Sequence, residues 1–185
     1  MALAPGTSLQ IRAASGAGKS TLVAFLAGLR GDYDGEILVN GRALTTFDAE
    51  AWAQWRRHAV SIVFQDLRLF PELSARAQVA LVREVSGGAA SELEARAAAL
   101  GITAHLDRPV RQLSLGQMQR VAILRALARP YRWLLLDEPF SHLDRTNAAA
   151  AWELIHADAT AKGAGLLVTG LDPQDFLRTT QTLTL

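Results

Sequence analysis

The chain contains no cysteine, so disulfides and thiolate chemistry are excluded. That absence is compatible with a reducing cytosol and equally with other compartments. No apolar run approaches the roughly 18 to 20 residues that a membrane-crossing helix requires, and the amino terminus carries no basic-then-apolar signal segment. The expectation is a soluble protein whose membrane role would come through a partner. An excess of one charge is lacking as well. Lys plus Arg number 19 against 18 for Asp plus Glu, a formal net charge of +1, which gives no global bias toward nucleic acid or an anionic membrane. The four histidines lack the spacing of a ligand cluster, so no metal site of that type is expected. Internal repeats, low-complexity tails and long coiled-coil inserts are missing too. What remains is 185 residues, half of them apolar, enough for one domain with a substantial core and too few for a second independent one.

Apolar patterning alternates between strand and helix. Gln10-Ile11-Arg12 leads into a glycine-bearing loop, after which Lys19 to Leu29 reads as a helix burying Leu22, Val23, Phe25, Leu26 and Leu29. Residues 35–41 form a short strand running into an Asn-Gly turn. Asp48 caps a helix carrying Trp52 and Trp55 one turn apart. Residues 61–64 are a buried strand, with Gln65 at its end. Residues 74–112 turn alanine-rich and helical, with Ser91-Glu92-Leu93-Glu94 matching a capping box. A helix from Gly116 to Ala128 stops before Pro130, and residues 133–136 have the continuous apolar character of a strand buried on both faces. A helix over 146–161, a strand over 166–169 and a closing stretch at 182–185 complete the chain. This alternation predicts an α/β fold with a mainly parallel sheet covered by helices on both sides.

Four segments carry chemistry, and their order is informative. Ser15-Gly16-Ala17-Gly18-Lys19-Ser20-Thr21 places glycines at a strand-to-helix turn, where backbone N–H groups converge on phosphate oxygens and the helix adds its positive end. In such a loop Lys19 reaches the β and γ phosphates and Ser20 ligates Mg²⁺. Asp137 ends an apolar strand, at the carboxyl edge where open α/β sheets bind ligands, and is expected to hold Mg²⁺ through water. Glu138 is the better candidate for activating the attacking water, because phosphoryl transfer depends on in-line placement and charge stabilisation. Taken alone, each segment has a plainer reading: a glycine turn before a core helix, a solvated acidic pair, or a capped helix start at Ser114.

Joined by Val63-Phe64-Gln65 and by Leu113-Ser114-Leu115-Gly116-Gln117, with Arg120 to Leu127 following, the chain resembles the nucleotide-binding subunits of ATP-binding-cassette (ABC) transporters over nearly its full length. The resemblance implies a P-loop NTPase fold in a single domain, with a core of about 1–73 and 113–185 and a helical subdomain at about 74–112. It implies an ATPase using ATP and Mg²⁺, working as a homodimer or with a paired ATPase subunit on an integral membrane permease. Nucleic acid is not an implied partner. The implied location is cytoplasmic, on the inner face of the membrane through the permease. Ser114, Gly116 and Gln117 would act in trans on the γ-phosphate held by the other subunit. Gln65 would contact Mg²⁺ and the attacking water, and Asp144, in Ser141-His142-Leu143-Asp144, would lie at the dimer seam. Within the family, residues 64–71 look like the lipoprotein-release, macrolide-efflux and cell-division branch. Asp137 to Ser141 is also frequent among small importers, so the direction of transport stays open. Residues 67–81 would form part of the groove for the permease's cytoplasmic helix.

Three positions and the amino-terminal region depart from the family pattern. Ala13 stands where the phosphate loop usually begins with glycine, and Leu115 replaces a common glycine. The amino-terminal strands of the usual fold look shortened or missing, with no aromatic ahead of the loop to stack on adenine, so weaker or differently built base binding is expected. Within Val168-Thr169-Gly170-Leu171-Asp172, Gly170 occupies the place of the switch histidine, which points to slow hydrolysis and keeps a second reading alive: a nucleotide-gated regulatory or scaffold ATPase acting on an envelope complex. His142, in the seam loop, is the histidine with a potential role at the γ-phosphate.

Overall fold

A computed structural model of the chain describes residues 3–87, 92–171 and 174–184. The chain runs through β1 (Ser8–Arg12), α1 (Lys19–Leu26), the hairpin β2 (Leu38–Val39) and β3 (Arg42–Ala43), α2 (Ala49–Gln54) and β4 (Val60–Val63). It continues through α3 (Ala75–Ser86), α4 (Leu93–Ala99), α5 (Leu115–Leu127), β5 (Trp133–Asp137), α6 (Arg145–Lys162), β6 (Gly165–Gly170) and β7 (Gln181–Thr184). Five strands form one sheet in the order β4-β5-β6-β1-β7, every pair parallel, while β2 and β3 pair separately. Register aligns the carboxyl ends: Arg12 lies beside Gly170, Asp137 beside Thr169, and Val63 beside Leu136.

The sheet is apolar on both faces, which is why its central strands read as continuous hydrophobic runs. In β5, Leu134 and Leu136 enter a large core cluster with Val121, Leu124, Trp152 and Ile155. Leu135 faces a smaller cluster on the other side with Leu9, Ile11, Val23 and Leu167. Trp55 packs on that second cluster and donates its indole N–H to the Leu26 carbonyl (2.8 Å), docking the segment after α2 onto the end of α1. Asp48 caps α2 by accepting the Ala51 amide (2.8 Å).

Local boundaries differ from the pattern-based expectation where backbone geometry intervenes. α1 ends at Leu26 rather than Leu29, because Gly28 enters the left-handed region (φ 66°), and Leu29 is left 45% exposed. Asn40 and Gly41 both take positive φ, the geometry of a tight hairpin turn. Ser91 lies outside the described residues, as do Asp172 and Leu185. α4 is instead entered through Glu92 in a left-handed conformation with no side-chain cap.

The stretch between β4 and α5 shares its core with the sheet, contributing Val79, Ala97, Ile102 and Leu106 to the larger cluster. A polar knot reinforces this contact. Asp158 of α6 accepts from Arg96 of α4 (2.6 Å), from the Tyr131 hydroxyl (2.5 Å) and from Lys162 (2.6 Å). Arg96 also donates to the Leu127 carbonyl (2.7 Å). Burial, with the adjacent carboxylate, pushes the Tyr131 hydroxyl far above its ordinary pKa, so it remains a neutral donor.

Candidate functional site

The carboxyl ends of four adjacent strands converge on one sheet edge, and each delivers part of the candidate site. β1 runs into the loop 13–18, where Gly16 (φ 80°) and Gly18 (φ 88°) occupy the left-handed region that favours glycine. Ala13 departs from the usual loop glycine without strain. It is not among the residues with positive φ, its side chain is buried at 4% exposure, and its amide donates to the Gly170 carbonyl at the end of β6 (3.3 Å). Ala14 to Gly18 are exposed, so the loop presents its backbone outward from a fixed root.

Lys19 opens α1 and turns inward, only 5% exposed. Its ammonium donates to the carbonyls of Ala13 (2.8 Å) and Ala14 (3.0 Å) and lies 3.2 Å from Glu138 Oε1. The other Glu138 oxygen accepts from Gln65 Nε2 (3.3 Å), and Gln65 Oε1 accepts from the Ser20 hydroxyl (3.3 Å). Lys19, Ser20, Gln65 and Glu138 therefore form one chain of contacts, assembled from segments up to 119 residues apart in sequence, the distance from Lys19 to Glu138. Asp137, 3% exposed, joins this group through Thr169, whose hydroxyl donates to Asp137 Oδ1 (2.7 Å) and accepts the Glu138 amide (3.2 Å).

Ser20, Gln65 and Asp137 offer a hydroxyl, an amide oxygen and a carboxylate, a hard-oxygen donor set of the kind Mg²⁺ favours. The Ser20–Gln65 contact brings two of these donors to within 3.3 Å of each other, which fits a shared small cation.

Ser114, Gly116, Gln117 and Asp144 are held in a different set of contacts. Ser114 and Gln117 form a reciprocal capping box at the start of α5: the Ser114 hydroxyl accepts the Gln117 amide (3.3 Å) and Gln117 Oε1 accepts the Ser114 amide (2.9 Å). Gln117 Nε2 reaches His105 Nε2 (2.9 Å). Asp144 caps α6 through the Asn147 amide (2.9 Å), a contact that holds its carboxyl below the ordinary aspartate range. A methyl group on Gly116 would stand 2.8 Å from the His142 carbonyl oxygen, so the first turn of α5 and the loop before α6 touch backbone to backbone. Leu115, where glycine is common, is 45% exposed and meets no such limit.

Three structurally important side chains escaped the sequence reading. Thr169 and Gln119 are each 1% exposed and bond around Glu138. Arg125 of α5 donates to the carbonyls of Leu67 (2.8 Å) and Arg68 (2.5 Å), two residues with positive φ that follow Gln65. Buried polar residues inside an otherwise apolar strand or helix were the only available signal.

The chain as a whole is similar to known proteins. The family model described as ABC transporter matches residues 1–141. The aliphatic sulfonates import ATP-binding protein SsuB 1 of Xanthomonas axonopodis pv. citri is 37% identical over 175 residues, 92% of this chain and 66% of that protein. The chain thus spans just under two thirds of that relative's length. The lipoprotein-releasing system ATP-binding protein LolD of Idiomarina loihiensis is 33% identical over 177 residues, covering 94% of this chain and 78% of LolD. Among solved structures, the dimeric structure of MJ0796, a bacterial ABC transporter cassette, superposes with a TM-score of 0.86 at 27% identity, covering 100% of this chain and 83% of that one. The dimer of the same cassette in a post-hydrolysis state with ADP and Pi gives 0.85 at 28% identity, with the same coverage.

Proposed function

This chain belongs to the ABC transporter family, and from that premise we propose that it is the ATP-hydrolysing subunit of a transport system, closing as a dimer around two nucleotides to drive a separate permease. The observation that carries this reading is the contact chain Ser20–Gln65–Glu138–Lys19 at the carboxyl edge of the sheet, directly beside the phosphate loop.

In this reading the loop amides and Lys19 bind the phosphates, and Glu138 accepts a proton from water as its oxygen attacks the γ-phosphorus. The bond to the β–γ bridging oxygen breaks, giving ADP and inorganic phosphate. Gln65 and Ser20 orient the reacting groups, and Thr169 holds Asp137 beside them. Mg²⁺, held by Ser20, Gln65 and Asp137, would supply charge neutralisation at the phosphates. Ser114, Gly116 and Gln117 would meet the nucleotide of the partner subunit, with Asp144 at the seam. Exposure of Ser114 at a helix amino terminus suits that task. Residues 74–112 would act as the helical insert. A groove lined by Leu67, Leu69, Pro71, Val110, Leu115 and Met118 is the place we assign to the permease's cytoplasmic helix. Among the described residues no helix is long and apolar enough to cross a membrane, so membrane association would come through that permease.

Sedimentation of Glu138→Gln with and without Mg-ATP tests the reading: an ATP-dependent dimer is expected, and a monomer under both conditions would contradict it. Gly170 favours a second reading, a regulatory ATPase with weak turnover. Restoration of fast phosphate release in Gly170→His would support that reading, and no gain would count against it.

A further inference from the structure

Glu138 has φ 46°, a left-handed conformation that costs a non-glycine residue on the order of 1 kcal/mol or more. Such a backbone persists only when its surroundings fix it, and both sides of this residue are held. On the amino side the Glu138 amide donates to the Thr169 hydroxyl (3.2 Å). On the carboxyl side the Glu138 carbonyl accepts from Gln119 Nε2 (3.1 Å).

Gln119 does more than hold one carbonyl. Its Nε2 also reaches the Ser141 hydroxyl (3.3 Å), and its Oε1 accepts the His142 amide (2.8 Å). Every hydrogen-bonding direction these contacts use points to the loop 138–142, from a side chain only 1% exposed. Gly116, one turn earlier on the same face of α5, packs against the other end of the His142 peptide, its carbonyl. The helix capped by Ser114 and Gln117 therefore grips the loop at its start, Glu138, and at its end, Ser141 and His142.

We infer that Gln119 is a positioning residue for hydrolysis: it sets the backbone from which the Glu138 carboxylate projects and locks that backbone to the first turns of α5. The inference rests on the assignment of Glu138 as the water-activating group. It explains why a polar side chain stands among Val121, Ala122 and Ile123 in a buried helix. It also gives a physical route by which contact at the start of α5 reaches the candidate catalytic carboxylate within the same subunit.

Gln119→Leu keeps the approximate volume and removes all three bonds. The expected result is a kcat for ATP hydrolysis lowered roughly 10- to 100-fold, the scale associated with small misplacements of catalytic groups. The KM, and the affinity for a non-hydrolysable Mg-ATP analogue, should stay within about twofold. Thermal unfolding checks that the variant is folded at the assay temperature. Gln119→Glu supplies a second readout that a packing role alone would not move. Its ionised carboxylate would accept the His142 amide and repel the Glu138 carbonyl, whereas the protonated acid would donate to that carbonyl again. Its kcat relative to wild type should therefore rise as pH falls from about 8 to about 5.5, through the range of a buried carboxyl. A Gln119→Leu protein as fast as an active wild type, or a pH-independent ratio for Gln119→Glu, overturns the inference alone. A wild type without ATPase activity overturns it together with the function on which it rests.

Discussion

Replacing Glu138 by glutamine should tighten nucleotide binding while stopping turnover. The Lys19 ammonium lies 3.2 Å from the Glu138 carboxylate, with side-chain exposures of 4% and 13%. A charge pair at that distance attracts by roughly 5 kcal/mol at an effective dielectric constant of about 20, before desolvation is subtracted. Phosphate oxygens must compete for the same ammonium, and the carboxylate they displace is left beside a polyanion. Glutamine preserves the shape and the acceptor toward Lys19 but removes the charge, so both costs fall. Only part of the gross attraction is recovered, because the Ala13 and Ala14 carbonyls also hold Lys19. The expected gain is roughly tenfold in affinity, about 1.4 kcal/mol. Calorimetric titration with a non-hydrolysable Mg-ATP analogue separates this from any effect on hydrolysis. An unchanged or weaker affinity in Glu138→Gln would refute the competition.

Two further substitutions probe the scaffold around the site. Asp158→Ala removes the acceptor shared by Arg96, Tyr131 and Lys162, and should lower unfolding free energy in urea by about 3 kcal/mol, the lower end for breaking a buried pair; a loss below about 0.5 kcal/mol would show the knot to be energetically idle. Gly116→Ala places a methyl 2.8 Å from the His142 carbonyl and must displace the loop before α6. Expected outcomes are a stability loss of about 1–3 kcal/mol by thermal unfolding and ATP hydrolysis reduced at least about tenfold, against which wild-type turnover would stand as the contrary result.

The α/β architecture was legible because parallel strands buried on both faces leave continuous apolar runs such as residues 133–136, and the helices between them leave periodic ones. The candidate site was legible where its chemistry is written contiguously. The phosphate loop and the Asp137-Glu138 pair each lie at a strand end, a placement that needs no long-range information. The supports of Glu138 were not legible. Thr169 and Gln119 act on it across 31 and 19 residues, and nothing in the sequence around either names the partner. The same holds for Asp158, whose three donors come from α4, the segment before β5 and its own helix. The end of α1 was misplaced because periodicity continues through Leu29, while the backbone turns at Gly28. Ala13 departs from the motif as a letter, yet it sits at a position that does not demand positive φ.

The loop 13–21, with Lys19 at its heart, is the proposed ATP phosphate site. Calorimetric titration of Mg-ATP into the wild-type chain and into Lys19→Ala, compared under identical conditions, tests it most directly. Saturable binding by the wild type and a loss of at least about 100-fold in the variant, about 2.7 kcal/mol, are expected of such a site. Equal affinities in the two proteins would contradict it.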